Sequence, residues 1–260
     1  MKVTIIGAGN MGGAAAAGIA RAGHVAPSDI TVTSIIKEQL ERFSAIGLNV
    51  SMDNVAAVKG ADVVILAVKP WVIPDVCAQI KDTLDYSSQI VVTFAPGVKP
   101  DDILSFFEKD GTHPSLTYVI PNIAIEVGES MTFVSPVTAT PEQVSKVLSV
   151  LEGTGEVKVV PFSQLMSGTA LASCGIAYAL RYIRAASEGG VELGFYAKDA
   201  TEIVSQTIKG AVSLLKAHGS HPEAEIDKVT TPGGLTIKGL NAMEAAGFTD
   251  AVIKGLKGGR

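Results

Sequence analysis

The chain has 260 residues, a formal net charge of −5 and a mean hydropathy of +0.34, and 47% of its residues are hydrophobic. This length allows one large domain or two smaller ones, and two are expected. The negative charge argues against a general binder of nucleic acid or of anionic membranes. The most apolar stretch, 169–180, falls well short of the ~20 apolar residues that span a bilayer, so no membrane partner is expected.

The cysteines and histidines indicate no metal site and no disulfide framework. Cys77 and Cys174 match no metal or redox spacing, so each is expected to be a small buried residue in a reducing compartment. The four histidines also lack metal-binding spacing. The apolar run at 3–6 passes directly into glycines without a cleavage-type region, so no signal peptide is expected. The cytoplasm is therefore the expected location.

The opening MKVTIIGAGNMG has the order of a dinucleotide-binding turn. The apolar run at 3–6 leads into Gly7, Gly9 and Gly12, and an Ala-rich helix is predicted over 11–22. In such a turn the first glycine permits a tight bend, the second lets the backbone approach a pyrophosphate, and the third lets the helix pack closely. Free N–H groups at the helix start then meet the phosphates. The alternative is an ordinary Gly-rich turn, which the strand-turn-helix context disfavours.

Residues 1–161 are predicted to form a Rossmann-type doubly wound sheet, because strand and helix patterns alternate along them. Apolar β-branched runs such as DVVILAV at 62–68 are typical of strands buried on both faces of a parallel sheet. The predicted strands lie at 3–6, 30–33, 48–51, 62–68, 90–94, 116–120, 131–135 and 156–160. The predicted helices lie at 11–22, 37–46, 72–84 and 141–151.

Residues 162–260 are predicted to form an all-helical second domain. Strand-like runs end at Pro161, and Ala-, Leu- and Ile-rich segments follow at 163–193, 197–218 and 235–257. Residues 170–177 include several small side chains, which would let other backbones approach this helix closely. This pattern fits either tight packing within the chain or a homodimer interface.

The end of the second predicted strand indicates the nucleotide. NAD sites usually carry an acidic residue there, which would repel a 2′-phosphate. Here residues 32–37 read VTSIIK, with hydroxyls and a lysine in place of the carboxylate, so NADP is favoured with Ser34 as the direct contact. Asp29 and Glu38 lie nearby and leave NAD as an alternative. Thr33 and Ser34 are also residue types that cap helices, which is a second interpretation of the segment.

A further glycine turn, TPGGLT at 231–236, precedes a predicted helix. Pro232 fixes the chain, and Gly233 and Gly234 leave backbone N–H groups open at the positive end of the helix, which suits a carboxylate. Taken alone, such a segment is more often a simple turn with an N-cap.

Five segments of the chain carry a resemblance when they are taken together: GAGNMG at 7–12, AVKP at 67–70, PN at 121–122, VG at 127–128 and TPGGLTIKGLNAMEAAGF at 231–248. They resemble segments of pyrroline-5-carboxylate reductases, and the resemblance covers nearly the whole chain. The resemblance implies a Rossmann domain followed by a helical dimerisation domain. It implies hydride transfer from NADPH or NADH to the ring carbon of a cyclic imine carboxylate, pyrroline-5-carboxylate, giving proline. It also implies a homodimer or higher homo-oligomer, with the substrate site formed where two subunits meet.

The resemblance also carries the functional residues of the family onto this sequence. The expected catalytic contact is the Thr236 hydroxyl, which would bond the ring nitrogen of the substrate. The expected substrate-binding residues are Thr231, Gly233, Gly234 and Thr236. The expected nucleotide-binding residues are Gly7, Gly9, Asn10, Met11 and Gly12 at the pyrophosphate, Ser34 at the 2′-phosphate, Asn54 at the adenosine ribose, Ala67, Lys69 and Pro70 at the end of the fourth strand, and Ala95 and Gly97 beside the nicotinamide.

Three departures from the family pattern leave the substrate open. Tyr118 stands where family members commonly have Arg, and Ile123 and Ala124 replace Thr and Pro after PN. Residues 172–178 read ASCGIAY, including Cys174, in place of SGSGPAY. The alternatives are therefore a related reductase of another cyclic imine or of a small carbonyl, and a non-catalytic NADP-binding sensor.

The first long helix of the second domain favours imine over carbonyl chemistry. Hydroxyacid dehydrogenases of similar plan carry a lysine there as acid and base, whereas residues 164–182 contain no Lys, His or carboxylate. Arg181 is too firmly protonated to serve. A protonated imine already attracts hydride, so a strong base is not needed.

Overall fold

The computed structural model describes residues 1–259, which form two compact units, 1–174 and 175–259. The first unit is built on a single eight-stranded sheet, and this confirms the predicted doubly wound fold. Its strands are β1 (Val3–Ile6), β2 (Ile30–Thr33), β3 (Asn49–Ser51), β4 (Val63–Leu66), β5 (Ile90–Thr93), β6 (Ser115–Ile120), β7 (Ser130–Pro136) and β8 (Gly155–Val159).

The strand order is β3-β2-β1-β4-β5-β6-β7-β8. Neighbouring strands run parallel, apart from the antiparallel pair β6 and β7. The chain winds outward from β1 in one direction to β3 and in the other from β4 onward, so the switch point lies between β1 and β4. In an open α/β sheet, ligands bind at the carboxyl ends of the strands beside such a switch point.

Helices cover both faces of the sheet. They are α1 (Asn10–Ala22), α2 (Glu38–Ser44), α3 (Asn54–Val58), α4 (Ile73–Ile80), α5 (Pro100–Phe107), α6 (Pro141–Leu151) and α7 (Phe162–Gly168). Short 3₁₀ helices occur at Pro27–Asp29, Pro70–Val72 and Ile123–Val127, and a π-helix occupies Thr169–Cys174. The sequence patterns did not predict α3, which at 5 residues is too short to show helical periodicity, and they also did not predict α5.

Successive side chains of a strand point to opposite faces of the sheet, so the strands contribute to two apolar layers, one on each side. Tyr118 belongs to one of these layers and is fully buried, and its ring lies edge-on to that of Phe162 with 5.1 Å between centroids. Its hydroxyl donates to the Val98 carbonyl oxygen at 2.6 Å. Burial raises the pKa of this phenol. The first departure from the family pattern is therefore accommodated as a core residue with a satisfied hydroxyl.

Residues 162–174 pack with the sheet although they are helical. Leu165 is fully buried in the core, and a β-carbon at Gly168 would lie 2.9 Å from the Phe133 ring. The predicted domain boundary after residue 161 marks the end of the strand pattern, whereas the compact units divide after Cys174. The strand pattern ends at residue 161, whereas the packing changes at residue 174. The division into domains 1–161 and 162–260 therefore stays a prediction.

The second unit is helical, as predicted. Its helices are α8 (Gly175–Glu192), α9 (Ala197–His218), α10 (Pro222–Val229), α11 (Leu235–Ala245) and α12 (Phe248–Gly258). The predicted helical segment at 235–257 is divided into two helices, because Gly247 interrupts it with a φ of +83°. The helix α10 was not predicted, since it is short and none of its residues is buried.

Several large apolar side chains of this unit are exposed, among them Leu193 at 83% and Tyr196 at 84%. Exposed apolar surface of this kind marks interaction sites.

None of the helices in residues 1–259 is both long and apolar enough to cross a membrane. Within the same residues, no group of three or more metal-ligating side chains occurs.

The two cysteines differ in exposure. Cys77 on α4 is fully buried, as expected, and burial raises the pKa of its thiol to about 12. Cys174 is only partly buried in the single chain. Because the thiolate is the reactive form, Cys77 should resist alkylation while the protein is folded.

We expect brief treatment with iodoacetamide at pH 8 to modify Cys174 at most, and to modify both cysteines after unfolding in urea. Peptide mass spectrometry would locate the label. Native-state labelling of Cys77 as fast as in urea would contradict its burial.

Candidate active site

The glycine turn after β1 is fixed by close backbone contacts. Gly7 has a φ of +111°, and a β-carbon there would lie 2.8 Å from the Ala67 carbonyl oxygen. A β-carbon at Gly12 would overlap the Gly7 carbonyl oxygen, and it would lie 2.8 Å from the Ala67 β-carbon. At Gly9, by contrast, nothing lies within 4 Å. The fold therefore requires glycine at 7 and 12, whereas Gly9 leaves open space above the turn.

The start of α1 faces this open space without a cap. The helix begins at Asn10 with Gly9 as N-cap, no side chain caps it, and its first turn carries no acidic residue. Uncapped N–H groups at a helix N-terminus attract anions. The turn, with Asn10 and Met11 at its end, is therefore suited to a pyrophosphate.

Arg42 is a cation beside this turn that sequence reasoning missed. Its guanidinium donates to the Ala8 carbonyl oxygen at 3.3 Å and lies 4.5 Å from the centroid of the Phe43 ring. A β-carbon at Gly13 would overlap it. Nothing in the sequence indicates that α2 reaches back to the first turn of α1.

Asn54 is held in a side-chain network at the ends of β2 and α4. The Thr33 hydroxyl donates to Asn54 Oδ1 at 2.6 Å, and Asn54 Nδ2 donates to Gln79 Oε1 at 3.0 Å. Asn54 opens α3, which Asp53 caps by accepting from the Ala56 N–H at 3.0 Å. Thr33 is itself buried, so its hydroxyl is committed to this network.

Ser34 follows β2 directly and its hydroxyl is bonded locally. Its Oγ donates to Gln39 Oε1 at 2.9 Å and accepts from the Ile36 N–H at 3.1 Å. The N-cap of α2 is Lys37, without a side-chain bond. The interpretation of Thr33 and Ser34 as caps of that helix is therefore wrong.

The remaining predicted nucleotide residues lie at the carboxyl ends of β4 and β5. Ala67 donates its N–H to the Ile6 carbonyl oxygen at 2.9 Å, which places it beside the glycine turn. Lys69 and Pro70 follow and are exposed. After β5, Ala95 is buried and donates its N–H to the Thr93 hydroxyl at 3.2 Å, and a β-carbon at Gly97 would meet nothing within 4 Å.

Asn122 joins the PN segment to the π-helix within the first unit. Its Oδ1 accepts from the Ala124 N–H at 3.0 Å, and its Nδ2 donates to the Ala172 carbonyl oxygen at 3.4 Å. Ile123, the second departure, is 43% exposed at the start of the 3₁₀ helix that follows. The altered segment at 172–174 thus lies in a π-helix, an irregularity that is frequent at functional sites.

In the second unit, the TPGGLT segment forms a turn that leads into α11. Gly233 has a φ of +72°, and the Gly234 N–H donates to the Thr231 carbonyl oxygen at 2.9 Å. Gly234 is the N-cap of α11 and no side chain caps this end. Thr236 lies in the first turn of α11 and is exposed. The helix start therefore offers N–H groups and a hydroxyl to a ligand.

A charged cluster anchors α10, the helix that precedes this turn. Glu225 accepts hydrogen bonds from Lys228 Nζ at 2.7 Å and from the Ser220 hydroxyl, and it pairs with His218 Nδ1 at 3.2 Å. The bond from Lys228, followed by those from Ser220 and His218, lowers the pKa of Glu225 to about 2. The carboxylate thus connects the end of α9 to α10.

We expect Glu225 to make stability fall as the pH drops below its ordinary pKa of 4.5. Because its pKa is lower in the folded state, its contribution is fully present above pH 4.5 and is lost as the pH falls towards 2. Glu225→Gln should lower the melting temperature at pH 7, and it should lower it by much less at pH 2.5, where only a part of the contribution remains. Circular dichroism melts would measure this, with Glu223→Gln on the same helix as control. An equal pH dependence of both variants would contradict the assignment.

Comparisons with known proteins agree with these features. Residues 2–97 match a family model described as NADP oxidoreductase coenzyme F420-dependent, and residues 163–259 match one described as pyrroline-5-carboxylate reductase dimerisation. Pyrroline-5-carboxylate reductase 2 of Dictyostelium discoideum is 35% identical over 98% of this chain and 89% of its own length. Pyrroline-5-carboxylate reductase 1 of the same organism is 37% identical over 98% of this chain, which spans 48% of that relative.

Among solved structures, the pyrroline carboxylate reductase of Plasmodium falciparum with NADP bound superposes with a TM-score of 0.90 at 24% identity. The superposition covers 100% of this chain and 95% of the Plasmodium chain. It shows that the two proteins share a fold. The sequence matches, which extend over both units, place the chain in the pyrroline-5-carboxylate reductase family.

Proposed function

We propose that the protein reduces 1-pyrroline-5-carboxylate to proline, with NADPH as the hydride donor. The observation that carries this proposal is that one chain combines an intact nucleotide turn with an intact TPGGLT segment, in a sequence 35% identical to a pyrroline-5-carboxylate reductase over 98% of its length. The nucleotide turn serves a dinucleotide, and the TPGGLT segment serves a small carboxylate.

The residues at the carboxyl edge of the sheet fit NADPH. The open space above Gly9 and the uncapped start of α1 suit the pyrophosphate, which we assign to the turn from Gly7 to Gly12. We assign the 2′-phosphate to Ser34 and the adenosine ribose to Asn54. Ala67, Lys69 and Pro70 would border the nucleotide at the end of β4. Ala95 and Gly97 would line the nicotinamide side, where the bound nucleotide supplies a hydride.

The start of α11 would hold the substrate carboxylate. Gly233 presents its backbone N–H there, whereas the Gly234 N–H donates to the Thr231 carbonyl oxygen and so fixes the turn from which α11 starts. We assign to the Thr236 hydroxyl the hydrogen bond to the ring nitrogen. That bond would keep the imine oriented, so catalysis depends on positioning.

The proposed reaction needs no side chain of this chain as a general acid or base. Residues 164–182 carry no Lys, His or carboxylate, which are the groups that serve as acid and base in alcohol oxidation. A cyclic imine that is already protonated accepts hydride without such a group. The composition of this helical stretch therefore favours C=N over C=O reduction.

We infer that the protein works as a homodimer or a higher homo-oligomer in the cytoplasm. The exposed apolar side chains of the helical unit, such as Leu193 and Tyr196, support assembly. Two free cysteines support a reducing compartment. A small-molecule imine is the expected substrate, and no nucleic acid or membrane partner is expected.

The test is an assay of NADPH oxidation by the purified protein with pyrroline-5-carboxylate. A six-membered cyclic imine carboxylate and a small ketone provide the comparison, because the altered segment at 172–178 bears on substrate choice. We expect the highest kcat/KM with the five-membered imine. Faster turnover of another compound would favour the related-reductase alternative. Tight nucleotide binding without any turnover would favour a sensor.

A further inference from the structure

Gln39 on α2 contacts the hydroxyl that we assign to the 2′-phosphate. Ser34 Oγ donates its hydrogen to Gln39 Oε1 at 2.9 Å, and it accepts from the Ile36 N–H at 3.1 Å. A serine hydroxyl has one hydrogen to donate and two lone pairs to accept with. The single hydrogen of Ser34 is therefore committed to Gln39.

A phosphate oxygen accepts hydrogen bonds, so Ser34 binds a phosphate only by donating that same hydrogen. The side-chain amide of Gln39 offers a way to release it. Rotation of the amide exchanges its oxygen and its NH₂ group, which would then donate to the free lone pair of Ser34 Oγ. In this second arrangement the hydroxyl hydrogen points to the ligand while the contact between the side chains persists.

We propose that Gln39 is a specificity-determining residue, which permits binding of the 2′-phosphate of NADPH because its amide can switch from acceptor to donor towards Ser34, whereas a side chain that can only accept would hold the Ser34 hydrogen and favour NADH. The proposal rests on the proposed function, since it takes NADPH as the ligand. The 2′-hydroxyl of NADH both donates and accepts, so it can bond to Ser34 in either arrangement. Only the phosphate requires the switch.

Two substitutions separate this role from a merely structural one. An ionised glutamate at position 39 only accepts, so it would hold the Ser34 hydrogen and add a negative charge near the phosphate. Methionine at 39 neither accepts nor donates strongly, so the hydrogen would be free. Ser44 is exposed on the same helix, and Ser44→Glu adds the same charge away from Ser34.

The experiment compares Gln39→Glu, Gln39→Met and Ser44→Glu with the wild type. Trp71, the only tryptophan of the chain, is 74% exposed beside Pro70, which we assign to the nucleotide, so we choose its fluorescence as the probe of nucleotide binding. We expect Gln39→Glu to lower the ratio of NADPH to NADH affinity by about thirtyfold, mainly through NADPH. Gln39→Met should change the ratio by less than about threefold, and Ser44→Glu by less than about twofold.

A structural role would weaken both nucleotides together and leave the ratio unchanged. An unchanged ratio in Gln39→Glu, or an equal shift in Ser44→Glu, would overturn the proposal. The ratio of kcat/KM values for the two nucleotides gives a second readout. If the wild type binds both nucleotides but reduces no imine, the proposed reaction fails, whereas the binding ratios still decide the role of Gln39.

Discussion

Gly9→Ala is expected to leave the fold intact and to lower the affinity for NADPH by about a hundredfold. The backbone of Gly9 has a φ of −65°, which any residue adopts, and a β-carbon there would meet nothing within 4 Å. The added methyl would stand in the open space above the turn, where the pyrophosphate would approach. Stability and nucleotide binding should therefore separate at this position.

Gly12→Ala is the matched comparison, because its β-carbon would overlap the Gly7 carbonyl oxygen and crowd Ala67. This variant should lose both stability and binding. Thermal melts measure the first property, and quenching of Trp71 fluorescence by NADPH measures the second. A Gly9→Ala protein that binds NADPH as tightly as the wild type would show that the pyrophosphate does not lie over this turn.

The sheet could be predicted closely because its strands are short, apolar and bounded by turns. The runs at 3–6 and 30–33 match β1 and β2 in the structure. The helix predicted at 72–84 became a 3₁₀ turn at Pro70–Val72 followed by α4 at Ile73–Ile80. Pro74 is tolerated there because it lies in the first turn of α4. Helix ends depend on such local chemistry more than on apolar spacing.

The site was predictable where the backbone itself makes the contact. The requirements at Gly7 and Gly12 follow from a motif of adjacent residues, and the structure places both against Ala67. Side-chain partners were not predictable, because they are distant in sequence. Asn54 and Gln79 are 25 residues apart, and their hydrogen bond depends on how α4 packs beside α3. The same holds for Arg42, which reaches Ala8 across 34 residues.

The departures from the family pattern have different structural consequences. Tyr118 is a core residue whose hydroxyl is bonded to Val98, so replacing a family arginine here changes the interior of the sheet unit. Cys174 instead ends a π-helix whose Ala172 carbonyl oxygen accepts from Asn122. Substrate preference should therefore respond to changes in the π-helix more than to changes at Tyr118.

Thr236→Ala is expected to lower kcat/KM for the imine by about a hundredfold and to change the affinity for NADPH by less than about twofold. Thr236 is exposed in the first turn of α11, so its removal leaves no cavity. Alanine is a strong helix former, so α11 should still start at the same place and leave the Gly233 N–H available to the carboxylate. The variant thus removes one hydroxyl from the proposed contact with the ring nitrogen.

Thr236→Ser is the control, since it keeps a hydroxyl at the same place and should retain most of the activity. Steady-state assays with pyrroline-5-carboxylate give kcat and KM, and Trp71 fluorescence gives nucleotide affinity for each variant. Loss of NADPH binding in step with turnover would mean that Thr236 supports the nucleotide or the fold. Full activity of Thr236→Ala would remove the hydroxyl from the mechanism and leave orientation of the imine to the backbone groups of the turn.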